Sequence, residues 1–247
     1  MAAMAERPRI LSFEDIDSTN AEARRLAEAH EAGPLWITAR RQSLGRGRRG
    51  RSWETGEGAL AATYLFVSPK PPAEAAQVSF VAALALADLA GAFVDPTLVT
   101  LKWPNDPLIA GRKTAGILVE SGAIPGGGLW LAVGCGVNLA EAPMDLNRPV
   151  TAFADHMAGG APPSPERALD VLAGAMDRWR TVWETDGFTP IAAAWTRRAH
   201  GLGEPCVAHL ANETLRGVAE GLDPDGALRL RLEDGAVRRI TAGDVFF

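Results

Sequence analysis

The chain has 247 residues, 47% of them hydrophobic and 22% charged, with a formal net charge of −5. This is globular composition, too apolar for disorder, and a chain of this length buries roughly 70–75% of its unfolded surface without covalent staples. Two cysteines, Cys135 and Cys206, and four scattered histidines (His30, His156, His200, His209) with no i, i+4 pair exclude a disulfide framework and a four-ligand zinc site, so no protein-bound metal is expected.

Residues 1–8 have no apolar signal region, and the most apolar stretch, 78–94, is interrupted by Ser79 and Asp88. It falls short of the ~20 clean apolar residues that cross a bilayer, which predicts a cytoplasmic protein with no membrane partner. Charge is unevenly placed: residues 40–51 hold six arginines (Arg40, Arg41, Arg46, Arg48, Arg49, Arg51) and no acid, leaving 19 basic against 30 acidic residues elsewhere. A dense arginine island in an otherwise acidic chain points to a local anion, whereas nucleic-acid binders more often spread positive charge along a face. Lysine is rare, with only Lys70, Lys102 and Lys113.

In chain order, residues 10–16 read as a strand. Thr19 and Glu22 have the spacing of a capping box, predicting a helix with Thr19 as N-cap that runs to about residue 30 and stops at Gly33-Pro34. A strand at 35–39 runs into a glycine- and arginine-rich loop, 42–58, and 59–67 returns as a strand. A long alanine- and leucine-rich helix follows over 73–93. Residues 98–103 form a buried strand broken by Pro104, with a turn at Asn105-Asp106-Pro107. Strands at 108–110, 114–121 and 129–139, joined by short glycine-containing turns, predict an antiparallel meander.

After a loop-like stretch, 140–163, Ser164-Pro165 and Thr189-Pro190 each read as N-cap and first residue of a helix, one reaching about residue 185 and the other ended by Gly201. From Glu204 short alternating strands separated by Asn212-Glu213, Asp223 to Gly226 and Asp234-Gly235 predict a small β-barrel of about five strands. The expected fold is α+β: a mixed, mostly antiparallel sheet packed by helices over 9–202, followed by the barrel over 203–247.

Three segments carry chemistry. In the first, from Gln42 to Trp53, alternating Gly and Arg lets backbone amides and guanidinium forks converge on an anion. A flexible basic or RGG-like RNA-binding tract is the plainer alternative, weakened by the run's shortness, its Trp and its place between strands. The second joins Lys102-Trp103-Pro104-Asn105-Asp106 to Gly111-Arg112-Lys113 and Gly116 to Glu120. Lys102 and Asp106 alone fit simple turn chemistry. Lys113, beginning an apolar strand, needs an anion or an acid partner. The third, Gly134-Cys135-Gly136-Val137-Asn138, points to close backbone approach by a ligand, with a strand-end bulge as the default; Cys135 reads as a small filler rather than a nucleophile.

Taken together and in this order, Asp17-Ser18-Thr19-Asn20, the 42–53 run, the 102–106 pentapeptide, 111–120 and 134–138 resemble the biotin protein ligases. The terminal strands, with Gly221 to Leu228 as signature, resemble that family's SH3-like C-terminal domain, so the resemblance covers nearly the whole chain. It implies a class II aminoacyl-tRNA-synthetase-like catalytic fold and a two-step reaction. Biotin's carboxylate attacks the α-phosphate of ATP, giving biotinyl-5′-adenylate, and a lysine of a biotin carrier domain then takes the biotinyl group. ATP and Mg²⁺ are the implied cofactors.

The resemblance assigns biotin binding to Ser18, Thr19, Asn20, Gln42, Gly45, Arg46, Gly47, Arg48, Trp53, Lys113 and Gly116. It assigns ATP binding to Arg48, Arg49, Arg51, Trp53, Asn105, Lys113 and Asn138, and places Arg48 and Lys113 at the reacting groups. Many bacterial members carry a DNA-binding domain ahead of the catalytic one; here the matched residues begin within the first fifteen or so, so no DNA role is expected, in a monomer or homodimer. Cys135 stands where Gly or Ala is the family expectation. A lipoate ligase of the same fold, a catalytically silent biotin sensor and an RNA-binding module using the arginine loop are the competing readings. The Gly-Arg loop with its Trp, the Trp-Pro of the pentapeptide and the terminal barrel favour biotin over lipoate.

Overall fold

The structure is a computed structural model that describes residues 8–31, 33–143 and 149–247. Its first half runs β1 (Arg9–Ile16), α1 (Thr19–Glu28), β2 (Leu35–Gln42), β3 (Leu60–Ser68), α2 (Pro72–Ala75) and α3 (Val78–Gly91). There follow β4 (Val99–Lys102), β5 (Asp106–Ile109), β6 (Arg112–Lys113), β7 (Ala115–Ala123) and β8 (Leu129–Val137). Two helices, α4 (Pro165–Asp186) and α5 (Phe188–Thr196), lead to β9 (Pro205–His209), β10 (Thr214–Leu222), β11 (Leu228–Arg231), β12 (Val237–Ile240) and β13 (Asp244–Phe246).

The main sheet has the order β1-β2-β3-β8-β7, parallel only between β1 and β2, and β4-β5-β6 make a small antiparallel sheet beside it. Strand alternation sorts the main sheet into two unlike faces. One carries Trp36, Tyr64, Phe66, Val133, Cys135, Val137 and Ile117, packed with α3, α4 and α5 into the large core. The other carries Leu35, Ile37, Leu65, Trp130 and Ala132 beneath α1, and beyond the N-terminal start of α1 that face falls away to small residues. Ala39, Ala61, Gly136 and Gly116 stand in one row across β2, β3, β8 and β7. A row of only alanine and glycine leaves a trough.

Five expectations shift. The N-cap of α1 is Ser18, whose Oγ accepts from Ala21 N at 3.5 Å, while Thr19 is already helical. The Thr19 amide instead donates to Gln42 Oε1 (2.8 Å), so a side chain from β2 serves one of the helix's open donors. The predicted 73–93 helix is divided into α2 and α3. The stretch 72–91 does have the length and apolarity of a bilayer span, contrary to the sequence reading; most of it is buried, with α3 apolar on all sides inside the core. The turn after β4 is Trp103-Pro104-Asn105, because Lys102 pairs across the hairpin with Asp106, which already belongs to β5. Helix α5 starts at Phe188 with Gly187 (φ 78°) as N-cap, two residues earlier than Thr189-Pro190, and ends at Thr196 rather than at Gly201.

The Ser164 cap of α4 is as expected, its side chain accepting from Arg167 N at 3.2 Å. The last five strands form an antiparallel sheet in the order β12-β11-β10-β9-β13, and among the described residues no ladder closes β12 onto β13. Its buried residues, among them Cys206, Ala219, Leu228 and Val245, continue the main core. Trp103 Nε1 donates to Gly226 O (3.0 Å) across the junction.

Candidate active site

The trough is the floor of a cleft open to solvent at its mouth. Ser18, Thr19 and Asn20 close one end from the start of α1, Gln42 closes the end of β2, and Ala61, Gly116, Gly134 and Gly136 line the floor. Trp53 lies on that floor. A Cβ at Gly116 would stand 2.7 Å from its ring, and one at Gly136 would overlap the indole. The Trp53 Nε1 is buried against Gly136 and has no acceptor among the described residues.

A buried polar chain fixes the closed end. Thr63, fully buried on β3, has its hydroxyl 2.7 Å from Asn20 Oδ1 and 2.8 Å from Thr19 Oγ1. With one proton to give, it donates to the Asn20 carbonyl, which can only accept, and accepts from or shares with Thr19. Asn20 Nδ2 donates to Glu120 Oε2 (2.8 Å) and Leu118 O (3.3 Å), and Gln42 Nε2 donates to Thr55 Oγ1 (3.1 Å). Behind them Arg25 grips Asp17 with two nitrogens (2.9 and 2.8 Å), and Asp17 accepts from Ser18 N (2.7 Å). The Arg25 hydrogen bonds hold the Asp17 carboxyl down at about 2.

The other wall is cationic. Arg46, Arg48, Arg51 and Lys113 line the cleft together with one acid, Asp106. Lys113 meets the acid partner that its position demands: its Nζ is ion-paired with Asp106, and Lys102 Nζ lies 3.6 Å from the other carboxylate oxygen. Burial pushes Asp106 up, and Lys113 and then Lys102 outweigh it, so the group sits below the usual carboxylate range. Arg48, Arg49 and Arg51 reach Asp244 of β13.

Of the residues singled out in the sequence, Ser18, Thr19, Asn20, Gln42, Arg46, Gly47, Arg48, Arg51, Trp53, Lys113 and Gly116 line this one cleft. Gly45 stands just behind it, where a Cβ would collide with the Trp53 carbonyl. Arg49 and Asn105 line a second, wider groove between the main body and the C-terminal sheet, and Asn138 a small recess on the far side of Trp53 and Lys113. Asn138 Nδ2 donates to Thr151 O (3.1 Å), and buried Asn105 Oδ1 has no donor among the described residues.

Cys135 borders the cleft between Gly134 and Gly136, but its side chain belongs to the core on the opposite face, its thiol pushed up to about 12 by burial. The Gly-or-Ala expectation at that position therefore concerns packing beneath the sheet, while the ligand face belongs to Gly134 and Gly136. Thr63 and Asp244 lie outside the segments singled out in the sequence, and Glu120, at the end of the second segment, carries no assigned role there. Thr63 is recognisable as a hydroxyl in an apolar strand; nothing local marks Asp244.

Comparison with known proteins bears on this geometry. Residues 12–138 match the family model described as the biotin/lipoate A/B protein ligase family, and 201–247 match the biotin protein ligase C terminal domain. The chain is 44% identical over 238 residues to a Paracoccus denitrificans protein named as a biotin acetyl-CoA-carboxylase ligase, covering 94% of this chain and 97% of that one. It is 32% identical to the bifunctional ligase/repressor BirA of Bacillus subtilis, over 95% of this chain and 73% of the relative. Its fold is shared with the Aquifex aeolicus biotin protein ligase solved in complex with biotin and ATP, at TM-score 0.78 and 24% identity, over 96% of this chain and 97% of that one. Two family models matched in order, and a relative spanned almost end to end, establish that the chain belongs to the biotin protein ligase family.

Proposed function

We propose that this chain joins biotin to ATP, forming biotinyl-5′-adenylate and pyrophosphate, and then transfers the biotinyl group to a lysine of a carboxylase's biotin carrier domain. The observation that carries this reading is a cationic wall, Arg46, Arg48, Arg51 and Lys113, standing over a floor of Ala61, Gly116, Gly134 and Gly136. An elongated ligand needs such a floor to lie flat, and two reacting anions need such a wall.

In the first step a biotin carboxylate oxygen attacks the α-phosphorus and the bond to pyrophosphate breaks. Two unit negative charges brought to ~4 Å oppose each other by roughly 4 kcal/mol at an effective dielectric of 20, which the guanidinium groups and Lys113 offset. Lys113 stands at the reacting oxygens with Asp106 holding it in place, and Arg46 and Arg48 share the carboxylate and phosphate. Ser18, Thr19, Asn20 and Gln42 bind the ring end, with Gly45 and Gly47 giving backbone room, and Trp53, seated on Gly116 and Gly136, is part of the surface the ligand lies against. Arg49, Arg51, Asn105 and Asn138 serve the nucleotide, which brings Mg²⁺ as its counter-ion. In the second step the acceptor amine attacks the adenylate carbonyl, AMP leaves and the amine gives up a proton. No enzyme nucleophile takes part, consistent with both cysteines being buried and their thiols pushed up.

This reading has the protein acting in the cytoplasm, as a monomer or homodimer, without a DNA-binding role. Its test is transfer: a purified biotin carrier domain incubated with the protein, MgATP and biotin should gain one biotinyl mass on its acceptor lysine. Labelling equally supported by lipoate, or independent of ATP, would contradict it.

A further inference from the structure

Three arginines of one loop converge on a single carboxylate from the other end of the chain. Arg48 Nη2 lies 3.4 Å from Asp244 Oδ1, Arg49 Nη1 lies 3.1 Å from Oδ2, and Arg51 Nη2 donates to both oxygens at 3.2 and 3.3 Å. The loop's own bonds are short-range: Gly47 N to Arg51 O (2.7 Å), Arg51 N to Arg48 O (3.3 Å), and a bridge between Arg46 and Ser52. Within it Arg49 is held at φ 58°, a left-handed conformation that a long side chain adopts when its surroundings impose it.

The carboxylate, by contrast, is fixed from behind. Asp244 is paired with His209 in the β9–β13 ladder. The next residue's carbonyl, Val245 O, accepts from Lys102 Nζ at 3.2 Å, and Lys102 also stands beside Asp106. One anion against three cations leaves two positive charges in excess. Asp244 therefore does not neutralise the loop; it overcomes the mutual repulsion of the guanidinium groups and leaves cationic capacity facing the cleft, which Arg48 and Arg51 line.

We propose that Asp244 is a positioning residue of the active site: from the C-terminal sheet it holds Arg48, Arg49 and Arg51 in the arrangement that receives ATP and retains the adenylate. The inference rests on the ligase reading above and names the carboxylate that orders the arginine loop. It fixes a sign. If Asp244 assembles the arginines for the ligand, its loss weakens ATP binding; if it merely occupied the phosphate position, its loss would strengthen it.

The test compares the wild-type full chain with Asp244→Asn and Asp244→Glu. The first readout is the rate at which trypsin cuts between residues 46 and 51 in the ligand-free protein, identified by fragment mass. The second is the KM for ATP, kcat for adenylate formation and the half-life of the bound adenylate. Asp244→Asn should be cut on the order of tenfold faster, since cutting follows the population of the released loop. It should raise the KM for ATP on the order of tenfold with a smaller change in kcat, and shorten the adenylate half-life, while Asp244→Glu recovers part of each effect. A general loss of structure would lower Tm and kcat with no rescue by Glu, and would overturn the proposal. So would unchanged cutting, or a KM for ATP that stays the same or falls. Should the wild-type protein form no adenylate, the ligase reading fails on its own, and the cutting rates still decide whether Asp244 holds the loop.

Discussion

Gly116 and Gly136 face each other across the β7–β8 ladder, and the indole of Trp53 lies directly on the pair. The contact depends on the absence of two side chains in one row of the sheet. Gly136→Ala places a methyl group where the indole now rests, so Trp53 must lift and the floor rises with it. The expected result is a biotin KM raised on the order of tenfold, equivalent to about 1.4 kcal/mol, with a shift in tryptophan fluorescence. Cys135→Ala, one residue away on the opposite face, should leave biotin KM unchanged, and a variant pair behaving alike would refute the two-faced account of β8.

Thr63→Val keeps the shape of the side chain and removes the hydroxyl that links Thr19 to Asn20. A buried acceptor left without its donor costs about 1–3 kcal/mol. Denaturant unfolding should show that loss, and biotin affinity should fall with it because Asn20 is no longer held. Thr63→Ser should recover most of both. Stability unchanged in Thr63→Val would show that the polar chain is not needed to order the site.

The pairing of Asp106 with Lys113 and Lys102 makes a prediction about pH. The Asp106 carboxyl is held below the ordinary carboxylate value of about 3.9, so the unfolded chain takes up the proton first as pH falls. Its stabilising contribution is complete well above that value and is lost as pH drops through the lower, folded-state value. Lys113→Ala removes the nearest cation and raises the folded-state value, so the variant should be less stable at neutral pH and the gap between the two proteins should narrow toward pH 3. Parallel stability curves from pH 7 to pH 3 would contradict the assignment.

Both thiols are buried, and Cys135 is pushed up to about 12. The native protein at pH 8 should therefore resist iodoacetamide and take up label only on unfolding. Rapid labelling of Cys135 in the folded state would place it on the cleft face and reopen a covalent route.

Much of this was legible in the sequence, for reasons that are local. The Ser164 cap, the strand texture and the glycine–arginine loop are set by neighbouring residues, and each motif segment contributes residues to one cleft. What escaped depends on register and on distance along the chain. Thr19 was read as N-cap because its spacing to Glu22 fits; Ser18 takes the cap because Thr19 N is drawn to Gln42 on another strand. Trp103-Pro104-Asn105 became the turn because Asp106 is pulled into β5 opposite Lys102. Asp244, nearly two hundred residues from the loop it binds, leaves no mark in the sequence around that loop.

By this mechanism the cationic wall over the glycine floor makes an acyl-adenylate from biotin. Purified protein incubated with MgATP and either biotin or lipoate, followed by mass spectrometry of the bound small molecules, tests it directly. Biotinyl-adenylate should accumulate with biotin alone. Lys113→Ala should reduce its rate of formation about 10- to 100-fold, as expected for loss of a charge-assisted hydrogen bond worth ~1.5–3 kcal/mol. No adenylate from either acid, or lipoyl-adenylate in place of the biotinyl one, would contradict the account.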